Sequence, residues 1–92
     1  MSEPQPPFLF VVTLTGREAE GEKLTVLAFT LGDDKGAARQ RAREELEALG
    51  WAQVEVVRCG EVIRPEAVPS DFVPAMATAR RHGCGLIIYE QD

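Results

Sequence analysis

The sequence is poor in the residues from which metal and catalytic centres are usually built. Its 92 residues include one histidine, two cysteines and no asparagine. His82 and Cys84 form a His-x-Cys pair, but a structural zinc site needs four ligands and no second pair lies nearby. As a general base, His82 would also need a nucleophile and an orienting group. We therefore predict no metal site and no catalytic residue.

Long apolar runs and basic segments are missing as well. The longest apolar run, Phe8–Val12, is far shorter than the ~20 residues that span a bilayer, and the N-terminus lacks the basic stretch of a signal peptide. We expect a cytoplasmic protein without membrane contact. The net charge of −5 disfavours nucleic-acid binding, which needs a concentrated positive surface. Because the sequence has no GxGxxG, GKS or GKT motif, no nucleotide cofactor is predicted.

What is present indicates one small globular domain. Hydrophobic residues make up 45% of the chain and charged residues 27%, which is ordinary for a folded protein. Residues 1–7 hold three of the six prolines and predict a flexible tail, so residues 8–92 form the domain. Eight arginines against two lysines are typical of a GC-rich bacterial genome.

Local patterns predict four strands and two helices. The strands are rich in β-branched and aromatic residues, and apolar residues at 38, 42, 46 and 49 form one helical face. Gly50 and Gly83 stand where left-handed helix caps belong. The predicted strands are 8–15, 24–31, 51–59 and 84–89; the helices are about 34–49 and 70–82, the second capped by Ser70 or Asp71, and 60–69 is a loop.

The order ββαβαβ predicts an α/β (α+β) fold. Strand–helix–strand units are almost always parallel and right-handed, so strands two, three and four should run the same way. The expected architecture is a two-layer sandwich with a mixed four-stranded sheet and both helices on one face. The first two strands are apolar on both alternations, so the other face is a candidate surface for a homodimer or a protein partner.

The carboxyl edge of the predicted parallel strands collects the candidate ligand-binding residues Asp33, Asp34, Cys59 and Arg64. The two aspartates precede a helix, which favours N-capping over a carboxylate pair. Cys59 ends one predicted strand and Cys84 begins the next, so the two cysteines should lie at opposite ends of the sheet. The distance between them would be about 15 Å at ~3.3 Å per residue, which is too far for a disulfide. We expect both to be small buried hydrophobes.

Charges in the first helix run against its dipole. Arg39, Arg41 and Arg43 precede Glu44, Glu45 and Glu47, whereas carboxylates are favoured near the N-terminus. A solvated face explains this arrangement, and a docking surface for an acidic partner is the alternative.

Three functions remain open. The first is a non-enzymatic binding module that associates with itself or a protein partner through the open sheet face. The second is a small-ligand sensor or carrier with its site at the carboxyl edge. The third is a small thiol enzyme that uses Cys59 or Cys84.

Overall fold

The computed structural model describes residues 7–89, which form four strands and two helices in the predicted order ββαβαβ. The chain begins with β1 (Phe8–Glu18), β2 (Lys23–Gly32) and α1 (Lys35–Ala48). It continues through β3 (Trp51–Glu61), two 3₁₀ turns (Pro65–Ala67 and Ser70–Phe72), α2 (Val73–His82) and β4 (Cys84–Tyr89). The predicted class, an α+β sandwich on a four-stranded sheet, is confirmed within this range. The predicted tail lies outside the described residues except for Pro7.

The sheet is antiparallel throughout, which corrects the prediction of a mixed sheet. Its strand order is β3-β1-β2-β4, and every neighbouring pair is antiparallel. β2 and β3 do run the same way, but β1 lies between them. β4 starts at the end of the sheet where β3 stops, because segment 62–72 and α2 return the chain to that end. The connection from β3 to β4 therefore joins strands that run in opposite directions, and the rule for parallel crossovers does not apply to it.

The two helices lie on opposite faces of the sheet, which corrects their predicted placement on one face. In β1, Phe10, Val12 and Leu14 pack in one cluster with the buried residues of α1, whereas Leu9 and Val11 pack in a second cluster with those of α2. Successive side chains of a strand point to opposite faces, so the two clusters lie on different sides. The doubly apolar character of β1 therefore follows from a helix on each face.

Both helices approach the sheet closely through small residues. α1 buries Ala38 and Ala42, and a side chain at Gly32 would lie 3.0 Å from the backbone nitrogen of Ala38. α2 lies over Gly85 of β4, where an added Cβ would overlap the carbonyl oxygen of Ala75. Bulkier residues at these positions would force the layers apart.

The helices of the described residues are short and end largely as the sequence predicts. Asp34 caps α1, with Oδ1 accepting a hydrogen bond of 2.8 Å from the amide of Ala37. Gly83 ends α2 in the left-handed conformation, at φ 94°. Neither Ser70 nor Asp71 caps α2, because both belong to a preceding 3₁₀ turn. With 14 and 10 residues, neither helix is long and apolar enough to cross a membrane.

The edge strand β3 is irregular. Its pairing with β1 shifts twice, once beside Val57 and once across Ala52–Val54, so β3 carries an extra residue at each place. Gln53 in the second bulge has φ 54°, a conformation that non-glycine residues seldom adopt. Next to it, buried Trp51 lies over Gly16 of β1, whose Cβ would stand 3.2 Å from the indole ring.

Candidate functional site

Three of the four residues predicted to bind a ligand lie at the end of the sheet where β2 and β3 stop, and the fourth follows β3. The carboxylate of Asp34 is engaged by the helix cap, while Asp33 beside it is exposed. Cys59 is half-buried in β3, and Arg64 is exposed just before the first 3₁₀ turn. None of the four lines either of the two cavities described below. Neither of these two cavities therefore supports the predicted ligand site.

The two cysteines lie at the same end of the sheet, not at opposite ends as predicted. Cys59 pairs with Val12 in β1, and Cys84 pairs with Thr30 in β2, so both side chains are on the α1 face. Reversal of β4 relative to the prediction moves Cys84 to this end. Their strands are nevertheless three strand spacings apart, about 14 Å, which is beyond disulfide reach. Both thiols are free.

Burial makes both thiols weaker acids. It raises the pKa of Cys84, although a hydrogen bond with the buried Thr30 hydroxyl, at 3.5 Å, acts in the opposite direction. Burial also raises the pKa of Cys59, opposed by the nearby charges of Arg39 and Lys35. A nucleophilic thiol needs a lowered pKa, so neither environment favours thiol chemistry.

His82 lies at the end of α2, where its backbone contacts an arginine side chain of α1. It is exposed in the last turn of α2, where Arg80 and Arg81 also lie, as the sequence predicts. Its carbonyl oxygen accepts a hydrogen bond of 3.2 Å from Arg41 Nη2. Within residues 7–89, no three His, Cys, Asp or Glu side chains are grouped so that they could hold a metal ion.

A groove runs between α1 and the outer edge of β3. It consists of two adjoining cavities of about 550 and 480 Å³, which share Arg43 and Glu47. The first lies beside the middle of α1 and has Val56 of β3 in its lining. The second surrounds the bulge at Gln53. The remaining lining residues are Gly36, Arg39, Gln40 and Glu44 in the first cavity and Arg17, Lys23, Val54 and Glu55 in the second.

The three arginines of α1 are divided between its two flanks. Arg41 is held on the flank towards β4, where its Nε donates to Glu45 at 2.8 Å and its Nη2 donates to the carbonyl oxygen of His82. Arg39 and Arg43 lie on the other flank, in the groove. Arg43 has a loose contact of 3.9 Å with Glu47, and Arg39 forms no ion pair among residues 7–89. The sequence indicated a charged face here. It could not show that Arg41 is engaged in contacts with the rest of the chain, while Arg39 and Arg43 are exposed in the groove.

The two edges of the sheet differ in a way that the sequence did not predict. β3 is interrupted by its two bulges and exposes Gln53, Glu55 and Arg58. β4 is paired with β2 in an unbroken register from Thr30 opposite Cys84 to Thr25 opposite Tyr89, and it carries no charged residue. Bulges and charges are the usual protection of an edge against further pairing, and β4 has neither.

Comparison of the chain with protein-family models, with curated proteins and with solved structures gave no match.

Proposed function

We propose that this protein is a non-enzymatic interaction module that forms a homodimer by pairing the β4 strands of two copies. The single observation behind this proposal is the regular, uncharged outer edge of β4. The sequence led us to expect association through an uncovered sheet face. Because α2 covers part of that face, the edge of β4 offers the better surface.

The backbone of β4 can be paired in one favourable register. The amide of Leu31 donates to the carbonyl of Gly83 at 3.0 Å, which marks this pair as hydrogen-bonded across the two strands. Since hydrogen-bonded and non-bonded pairs alternate, Gly85 and Ile87 bond to β2. The amides and carbonyls of the intervening residues point outwards; these residues are Cys84, Leu86 and Ile88.

A two-fold axis at Leu86 would use all of these outward groups. It places Leu86 opposite its own copy and Cys84 opposite Ile88, giving about six backbone hydrogen bonds between two antiparallel strands. Leu86 is half-buried and Ile88 is 44% exposed, so pairing would also remove apolar surface from water. An interface between two six-residue strands is small and belongs to the transient class, so the dimer should dissociate on dilution.

The two alternative functions have less support. For the ligand sensor or carrier, the carboxylate of Asp34 is already engaged by the helix cap. For the thiol enzyme, burial raises the pKa of both cysteines. Their free state supports a location in the cytoplasm, which is part of the proposal.

The test compares one substitution at each edge of the sheet. Ile88→Lys places a charge on the free edge of β4, and Val57→Lys places the same charge on β3, where Val57 is 62% exposed. Sedimentation velocity over a range of concentrations gives the mass. We expect the native chain and the Val57→Lys variant to approach twice 10.1 kDa at high concentration, and Ile88→Lys to stay monomeric. A native chain that is monomeric at millimolar concentration, or equal effects of both variants, would overturn the proposal.

A cross-link checks the register without adding a charge. In a chain with Cys59→Ala and Cys84→Ala, the variant Leu86→Cys should form an intermolecular disulfide on mild oxidation. Directly opposed residues of a hydrogen-bonded antiparallel pair have Cα atoms about 5.5 Å apart, within disulfide range. The matched variant Val57→Cys should cross-link at least ten times more slowly. Equal rates for the two variants would contradict pairing through β4.

A further inference from the structure

The groove between α1 and β3 is separate from the edge used in the proposed dimer. β3 and β4 form the two opposite edges of the sheet, and the groove follows the edge of β3. It extends beside α1 from Gly36 to Glu47, eleven residues along the helix, or about 16 Å at 1.5 Å per residue. This length matches about five residues of extended polypeptide at ~3.3 Å each.

The wall of the groove nearest the sheet carries two arginines and one carboxylate, that of Glu47. Successive helical residues are rotated by about 100°, so Arg39 and Arg43 lie on the flank next to the buried stripe of Ala38 and Ala42. Glu44 is about 200° from Ala42 and so lies on the outer side of the helix, where Gln40 donates to it at 3.0 Å. The arginines and Glu47 therefore stand inside the groove, whereas Glu44 stands at its rim.

The other surfaces of the groove add apolar and charged side chains. Val54 and Val56 of β3 contribute apolar side chains beneath the arginines. At the far end, Arg17 and Lys23 approach the bulge at Gln53. Four cations and the carboxylates of Glu44, Glu47 and Glu55 line the two cavities, so their formal charge is +1, whereas that of the whole chain is −5.

We propose that the groove binds an extended acidic segment of a partner protein. Arg39 and Arg43 are one turn apart, about 6 Å along the helix, and alternate side chains of an extended peptide are spaced by ~6.6 Å. Acidic residues at every second position can therefore meet both arginines, while an apolar residue between them reaches the half-buried Val56. Arginine suits this role because its planar head binds a carboxylate through two hydrogen bonds.

The bulges of β3 determine how such a peptide is recognised. They interrupt the row of backbone groups on the outer edge, so a continuous β-ladder with the peptide cannot form. Side-chain ion pairs must then supply most of the affinity. Because the arginines are partly exposed, binding should be modest and should weaken as salt concentration rises.

The experiment uses a dye-labelled six-residue peptide that alternates glutamate and valine, followed by fluorescence anisotropy. The matched control peptide has glutamine at every glutamate position. The double variant Arg39→Gln, Arg43→Gln should bind the glutamate peptide about ten times more weakly than the native chain. Arg81→Gln, the same charge change at an exposed position on α2, should bind within twofold of the native chain.

Three outcomes would overturn the inference. These are no binding of the glutamate peptide by the native chain, equal binding of the glutamine peptide, and equal losses in the double variant and in Arg81→Gln. The inference does not depend on the dimer, because Ile88→Lys leaves the groove intact. Peptide binding by that variant at the native level is expected, and it separates the two proposals.

Discussion

Alanine at Gly85 is the most direct test of the position of α2. The Cβ of this alanine would overlap the carbonyl oxygen of Ala75 and would lie 2.9 Å from its carbonyl carbon. These are backbone atoms of a helix, so they can be relieved only by moving α2 away from the sheet. Overpacking of this kind costs about 1–3 kcal/mol. We take the upper half of this range, about 2–3 kcal/mol, because no flexible side chain is present to yield.

The control is Gly60→Ala. Gly60 also lies in a strand and pairs with Val11, whose side chain is on the α2 face, but its Cβ would meet nothing within 4 Å. Loss of chain entropy in the unfolded state should make this variant neutral or up to about 1 kcal/mol more stable. Urea unfolding followed by the fluorescence of Trp51, which is 5% exposed, measures both.

The sign of the change in the free energy of unfolding distinguishes a fold with α1 and α2 on opposite faces of the sheet from one with both helices on the same face. With a urea dependence of about 1 kcal/mol per molar, the midpoint for Gly85→Ala should fall by about 2–3 M. If α2 lay on the same face as α1, as the sequence led us to expect, Gly85 would project from an uncovered face. Alanine would then stabilise the strand, as at Gly60. A stable Gly85→Ala variant would therefore refute the placement of α2.

The remaining predictions concern the candidate site residues. Asp34→Ala should lower the free energy of unfolding by about 1 kcal/mol through loss of the helix cap, and Asp33→Ala should change it by less than about 0.5 kcal/mol; urea unfolding checks both. The raised pKa values of Cys59 and Cys84 mean that the unfolded chain releases these protons first as pH rises. The stability contributed by the neutral thiols should be complete below the pKa of the unfolded thiols, near 9.0, and should be lost as pH rises above it. The variant Cys84→Ala should therefore lose less stability than the native chain in urea unfolding measured between pH 7 and 10. At pH 8 both thiols should react with a disulfide reagent more slowly in the folded chain than in urea, and equal rates would contradict their burial.

The elements of the fold were predictable because their signals are local. Apolar residues at helical spacing identified α1, and Gly83 adopts the left-handed cap conformation that its position indicated. The apolar residues on both sides of β1 also carried information about the faces of the sheet. They required a cover on each face, but the crossover rule led us to place both helices together, because it assumes parallel neighbours.

The binding surfaces were less predictable because they depend on contacts between distant segments. The adjacent Val56 and Val57 interrupt the alternation of β3 and mark one bulge, but nothing in the local sequence marks the left-handed Gln53. Of the two candidate aspartates, Asp34 caps α1 as predicted, and Asp33 is not the cap residue. The division of the α1 arginines into one structural and two available groups became visible only with α2 and β3 in place.

If the chain associates through β4 as proposed, the unequal edges of the sheet would also limit how far assembly can proceed. A sheet with two regular edges can add copies at both sides, and such growth leads to fibres. Here the edge at β4 is regular, whereas the bulges of β3 interrupt the other edge. Two chains that meet through β4 bury the same strand in each, so the assembly closes at a pair and presents only irregular edges to solvent. In the proposed dimer, the distortion of β3 would therefore prevent further growth of the sheet.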